Sequence, residues 1–240
     1  MKNFLKKFLF ISVIVIMLLI VAFIIIQYDA EGEKSLPFSI NKILLVSTVN
    51  GDIVDDPSNI WNINITQVND VYMYINKTEE TELTIKEIKL ENFNVINKPK
   101  KGNVKLLRPT GELSNLYTYS EQDYINSEII YQGGAIDDMK SLEIANTGGV
   151  LGFRFSLNDL GSYISNENEE IIYDGNLLKN LGVSLEEIKF STNFDIIITT
   201  SDNINYKGTV SIEMPIDTIV EEGSSHKEIT DFNDVVFKRV

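Results

Sequence analysis

The single histidine, His226, sits in an exposed-looking Gly-Ser-Ser-His-Lys stretch, and cysteine is absent. A Ser-His-Asp triad, a histidine metal centre, a thiolate zinc site, a cysteine nucleophile, a disulfide and a lipid-bearing cysteine therefore all lack their residues. No phosphate-binding loop or dinucleotide fingerprint occurs, and the pairs Gly133-Gly134 and Gly148-Gly149 read as turns in which glycine supplies positive φ. Acids are abundant, with 35 Asp and Glu. Two of them about 5 to 9.5 Å apart in a cleft would suit glycoside hydrolysis. No motif selects such a pair, so no catalytic residue is assigned. Hard oxygen donors for calcium lie in Asp52 to Asp56, Asn166 to Glu170 and above all Asp137-Asp138. The EF-hand spacing fails, because Ile171 stands where that loop needs glycine.

Recognition chemistry has a clearer pattern. Between Ile60 and Asn76, Trp61, Ile63 and Ile65 alternate with Asn62, Asn64 and Thr66, and Val71, Met73 and Ile75 alternate with Tyr72 and Tyr74. The polar set presents amides and phenols of the kind that stack on sugars or hydrogen-bond a peptide, which makes Asn62, Asn64, Tyr72 and Tyr74 the candidate ligand-binding residues. Thr and Tyr also favour strands for packing reasons alone. Trp61 falls with the aliphatic, core-facing set.

These residues must be held by strands. The expected element is a hairpin, and an odd loop such as Val68-Asn69-Asp70 brings both aliphatic sets to one face, whereas a two-residue turn would put the first set beside the tyrosines. A second hairpin is expected within Ile188 to Met214, again with an odd loop, near Asp202 to Ile204. Further strands are expected at Leu83 to Val95, Glu128 to Gln132, Leu142 to Ala145, Val150 to Phe155 and Glu170 to Tyr173. In the first of these the apolar parity changes twice, which implies bulges or a strand crossing between sheets. Pro99 to Gly102 reads as a turn and Arg108 to Asn126 as a long packed loop. Helix is scarce: Asn176 to Leu181 and Ser184 to Glu187 each suit a turn or two, with Ser184 as N-cap. The expected fold class is all-β, an antiparallel β-sandwich of Ig-like or jelly-roll-like type.

The chain also begins with a membrane signature. Phe8 to Ile26 is apolar except for Ser12, about nineteen residues, or roughly 29 Å as a helix. A cleaved signal peptide would have a shorter core and a small residue where Tyr28 stands. Lys2, Lys6 and Lys7 on one flank and Asp29, Glu31 and Glu33 on the other place the N-terminus in the cytoplasm. The expected organisation is a cytoplasmic tail (1–7), a signal-anchor helix (8–27), a stalk (28–39) and an extracytoplasmic domain (40–240).

Removing the three leading lysines from a net charge of −14 leaves −17 on the outer part, which argues against nucleic acid. A metal cation or basic partner is electrostatically easier. Richness in Ile, Asn and Lys without disulfides fits a bacterium of AT-rich genome with a single membrane. The sequence thus implies a membrane-anchored binding or assembly module of a bacterial cell envelope, with an envelope protein or glycan as partner and calcium as an optional cofactor. The alternatives are an enzyme acting on surface polysaccharide and a subunit that joins other β proteins by a sheet edge.

Overall fold

A computed structural model describes residues 2–54, 60–79, 81–109, 119–122, 128–134, 142–166 and 175–240. The apolar run forms one helix, α1 (Lys2–Glu31), within which Lys7–Glu31 is long and apolar enough to cross a membrane. Its large apolar side chains from Phe8 to Ile26 are exposed, and none of that apolar window is covered by the rest of the protein. A helix apolar all round and left bare by its own chain is no core helix of a soluble protein; a membrane span and a signal sequence share this geometry. Gly32 ends it at φ +70°, its N–H donating to the Tyr28 carbonyl at 2.8 Å, which closes the last turn in a left-handed cap.

The rest is mostly strand, in two six-stranded sheets. The first sheet runs β11 (Ser224–Ile229), β1 (Phe38–Val54), β2 (Ile60–Lys77), β8 (Gly148–Asn166), β4 (Asn103–Pro109) and β5 (Tyr119–Gln122). The second runs β12 (Lys238–Arg239), β10 (Asn205–Met214), β9 (Phe190–Thr200), β3 (Ile85–Asn97), β6 (Ile129–Gly133) and β7 (Leu142–Ile144). All pairings are antiparallel except β6 with β7. Three short helices complete the described residues: α2 (Asn176–Asn180), α3 (Leu185–Ile188) and α4 (Ile219–Glu222).

One core cluster takes residues from both sheets, among them Leu45, Met73, Phe153 and Phe155 from the first and Leu90, Phe93, Phe194 and Ile196 from the second. Phe93 stacks on Phe194 with centroids 5.3 Å apart, while Phe153 meets Phe194 edge-on at 5.2 Å. Such ring pairs add to the burial energy of the side chains themselves. A second cluster, around Val49, Ile63, Ile65 and Leu157, is covered by Leu177 and Leu178 of α2, Ile188 of α3 and Ile219 of α4. The short helices thus seal the length of β1, β2 and β8 farthest from α1.

The expected hairpin at Ile60 to Asn76 is overturned: β2 is one continuous strand of 18 residues. Ile63, Ile65, Gln67, Asn69, Val71, Met73 and Ile75 share a parity, and all are buried. An odd loop and no loop at all satisfy the same parity rule. The polar residues that suggested a turn are instead satisfied inside. Gln67 Nε2 and Asn69 Nδ2 each donate to the other's side-chain oxygen at 2.9 Å, and Ser47 Oγ donates to Asn69 Oδ1 at 2.7 Å. The backbone N–H of Ile216 completes the group by donating to Ser47 Oγ at 3.1 Å. Buried polar atoms in such a closed set avoid the desolvation cost that normally drives them to loops.

The second hairpin is present as β9 and β10. Thr200 N–H donates to the Ile204 carbonyl, leaving Ser201, Asp202 and Asn203 as an odd loop with Asn203 at φ +63°. It starts one residue earlier than expected. β3 shows the expected irregularity as register shifts against β9 between Ile85 and Glu87, Glu91 and Asn94, and Val95 and Asn97. α2 and α3 form where expected, and the Ser184 N–H donates to the Glu187 carboxylate at 2.9 Å. The Arg108–Asn126 stretch holds the end of β4 and all of β5; its remainder, and Glu170 to Tyr173, lie outside the described residues. Val150 to Phe155 is part of the longer β8.

Candidate functional site

Asn62, Asn64, Tyr72 and Tyr74 all lie on β2 at the parity opposite the core. In a hairpin they would have met across the strand pair. On one continuous strand rising about 3.3 Å per residue, Asn64 and Tyr72 are roughly 26 Å apart. The structure therefore places two separate pairs, amides toward the end far from α1 and phenols toward α1. Asn64 is exposed, while the Asn62 Oδ1 is buried with no hydrogen-bond partner among the described residues. The Trp61 side chain lies outside the described residues.

The phenol pair has neighbours of its own. The Lys42 ammonium stands 5.0 Å from the Tyr74 ring centroid and 2.6 Å from the Glu228 carboxylate, which pushes the lysine above its ordinary pKa chiefly through that hydrogen bond. A Cβ placed on Gly152 would touch the Tyr72 ring at 3.6 Å, so the ring lies over bare backbone of β8. Between the two pairs, Asp70 and Arg154 close the surface with a bidentate ion pair, Nε to Oδ1 at 2.7 Å and Nη2 to Oδ2 at 2.9 Å. Asp70 is 8% exposed.

The outward face of the second sheet carries the acids that come side by side in the ladder, Glu91 and Asp195. Lys207 reaches both, at 3.5 Å and 2.8 Å, and Lys89 holds Glu91 at 2.7 Å. Partial burial pushes the Asp195 carboxyl upward, but hydrogen bonds from Lys207, Thr209 and Asn92 outweigh it and hold the group below the ordinary carboxylate range. A general acid for glycoside cleavage needs the opposite shift. This pair is built as a charge network rather than an acid–base couple.

Asp137 and Asp138, the calcium candidates, lie outside the described residues, as do Asp55, Asp56 and most of Asn166 to Glu170. Among the described residues no group of three or more His, Asp or Glu is gathered for a metal. His226 is exposed on β11 rather than in a connection.

Two hollows had no sequence signal. One, of about 1040 Å³, lies where α1 meets the sheets, between Lys34 to Pro37, Lys77 to Glu79, Asp202 and Arg239. The other, of about 460 Å³, lies under the β3–β4 crossover. The first joins residues far apart in the chain, and the second, lined by residues 93–104, forms because β3 and β4 lie in different sheets. Comparison with family models, curated proteins and solved structures finds no match.

Proposed function

We propose that this chain is a single-pass envelope protein that displays a binding or assembly module on the outer side of a bacterial membrane. In this reading α1 stays in the bilayer with Lys2, Lys6 and Lys7 inside, and the two sheets form one antiparallel β-sandwich outside. The observation that carries it is the bare apolar surface of α1, continuous from Phe8 to Ile26, on a helix whose last turn is bonded to the sheets. Glu33 N–H donates to the Phe237 carbonyl, and Gly32 is buried against the same residue. Cleavage after Ala30 would remove Tyr28 and Asp29, which hold the C-terminal strand. Alkaline extraction of membranes tests retention: the full-length chain stays in the pellet, and a shortened, soluble product defeats the reading.

Assembly through a sheet edge is the second reading, and β10 favours it. β12 pairs with β10 only at Tyr206 and Lys207, so Gly208 to Met214 have no ladder partner on that side among the described residues. Edges of this kind accept an added strand. Cross-linking through a cysteine placed at Ser211, which is exposed, would trap an edge-to-edge partner; a chain that stays uncross-linked in intact membranes removes this second reading.

A further inference from the structure

The hollow of about 1040 Å³ where α1 meets the sheets lies at the upper end of the size range of ligand sites. Its walls come from the residues just past α1, the paired start of β1 and end of β2, the turn between β9 and β10, and Arg239. These walls are fixed by the fold. Ser39 of β1 and Asn76 of β2 are ladder partners, Lys77 N–H donates to the Thr147 carbonyl at 2.8 Å, and Thr78 N–H donates to the Pro37 carbonyl at 3.0 Å. A site assembled before its ligand arrives loses less freedom on binding.

The charges in the lining narrow what it can hold. Its cations are Lys34, Lys77 and Arg239, and its acids are Glu79 and Asp202. Glu31 holds Lys34 at 2.9 Å and Glu33 holds Arg239 at 2.7 Å, while Asp202 accepts from the Thr200 hydroxyl at 2.6 Å. The side chains of Lys77 and Glu79, one of each sign, are left without a partner among the described residues. A phosphate calls for a surplus of cations and a metal ion for a surplus of acids. This balance suits neither and fits a neutral, polar ligand.

The uncommitted groups also differ in kind. The Lys77 ammonium only donates, the Glu79 carboxylate only accepts, and the Asn76 amide and Ser35 hydroxyl do both. A sugar hydroxyl donates and accepts as well, so the neighbouring hydroxyls of one ring find a complement in such a set. Leu36, Leu83 and Ile204, half-buried in the same lining, offer apolar surface to the C–H face of the ring.

We propose that this hollow binds a saccharide, its hydroxyls read by Asn76, Lys77 and Glu79. This deepens the reading of the domain as a binding module and rests on it. α1 continues from Ile26 to Glu31, which carries the chain about 8 Å past the apolar run, the depth of a headgroup layer. With α1 in a bilayer, the hollow therefore stands at the membrane surface, where the same sugar chemistry comes either from a glycolipid headgroup or from a free glycan.

Saturation-transfer NMR of the full-length chain in micelles of a sugar-free detergent tests it, with maltose and cellobiose as probes. At least one of them should receive saturation, and inorganic phosphate should not displace it. Asn76→Ala and Glu79→Ala, both at exposed positions, should each weaken binding about fivefold or more by removing a hydrogen bond, with the melting temperature unchanged. In phosphatidylcholine vesicles that hold the chain, added glucosyl diacylglycerol separates the sources: loss of the disaccharide signal assigns a lipid headgroup, and an undiminished signal a free glycan. A chain that alkaline treatment releases from membranes, yet that binds a disaccharide in micelles, defeats the envelope reading while upholding this site. No transfer to either disaccharide at about 10 mM, tenfold above a millimolar dissociation constant, or equal binding by both variants, overturns the proposal.

Discussion

The hydroxyl of Tyr28, in the last turn of the apolar helix, accepts a hydrogen bond at 2.8 Å from the backbone N–H of Arg239, 211 residues later and one residue from the end of the chain. Lys238 adds an ion pair to Asp29 at 2.9 Å, and Arg239 one to Glu33 at 2.7 Å. Phe38, which opens β1, packs edge-on against Tyr206 and Phe237. The last turn of the helix and the residues after it are therefore joined to the sheets by a closed clasp.

Opening this clasp should be local. Deleting residues 238–240, or substituting Gly32→Ala at its positive φ and against the Phe237 carbonyl, should speed hydrogen exchange at Glu33 by about fivefold or more, since a left-handed alanine alone costs about 1 kcal/mol. Amides in β2 and β9 should keep their protection. Loss of protection throughout the sheets would show that the clasp supports the whole fold.

Tyr131 ties the two sheets together. From β6 its hydroxyl donates to the Gly152 carbonyl at 2.6 Å and accepts from the Gly152 N–H at 2.9 Å, just past the point where the pairing of β4 with β8 ends at Leu107 and Arg154. Burial pushes this phenol well above its ordinary pKa. Tyr131→Phe removes the partner of both backbone groups and should lower stability by about 2 kcal/mol in a urea titration. A change under about 0.5 kcal/mol would mean that water or another group takes its place.

The polar group in the middle of β2 should act as a unit. Asn69→Ala strands Gln67 and Ser47 and should cost about 2–3 kcal/mol, whereas the double change Gln67→Leu, Asn69→Leu should cost less than the sum of the single ones. Additive losses would show that the two amides are independent.

Acid should weaken the second sheet through Asp195. Its carboxyl is held below its unfolded value of about 3.9, so its contribution is complete above that pH and is lost as pH falls toward the folded pKa. Asp195→Asn should flatten the decline in urea midpoint below about pH 4. An unchanged acid limb would place the titrating groups elsewhere.

The sequence revealed strands wherever alternation was clean. Phe190 to Met214 was legible because Phe194, Ile196 and Ile198 keep one parity and Asp202-Asn203 offers turn chemistry. β2 kept its parity as well, but Gln67 and Asn69 carry turn-like polarity, and their mutual hydrogen bonds with Ser47 come from tertiary contact that no local window contains. The same misreading joined Asn62 and Asn64 to Tyr72 and Tyr74 as one surface. β11 and β12 were illegible because an edge strand such as Ser224 to Ile229 buries little and needs no alternation. The cavity beneath Lys98 to Gly102 depends on β3 and β4 lying in different sheets, which spacing along the chain does not encode.

The absence of cysteine makes a direct topological test possible. Single cysteines at Asn3 and Ser211 are treated with a membrane-impermeant maleimide in intact cells and after permeabilisation. Labelling of position 211 in intact cells, with position 3 labelled only after permeabilisation, is the predicted result. Protection of position 211 in intact cells would contradict an outward-facing module on a membrane-held α1.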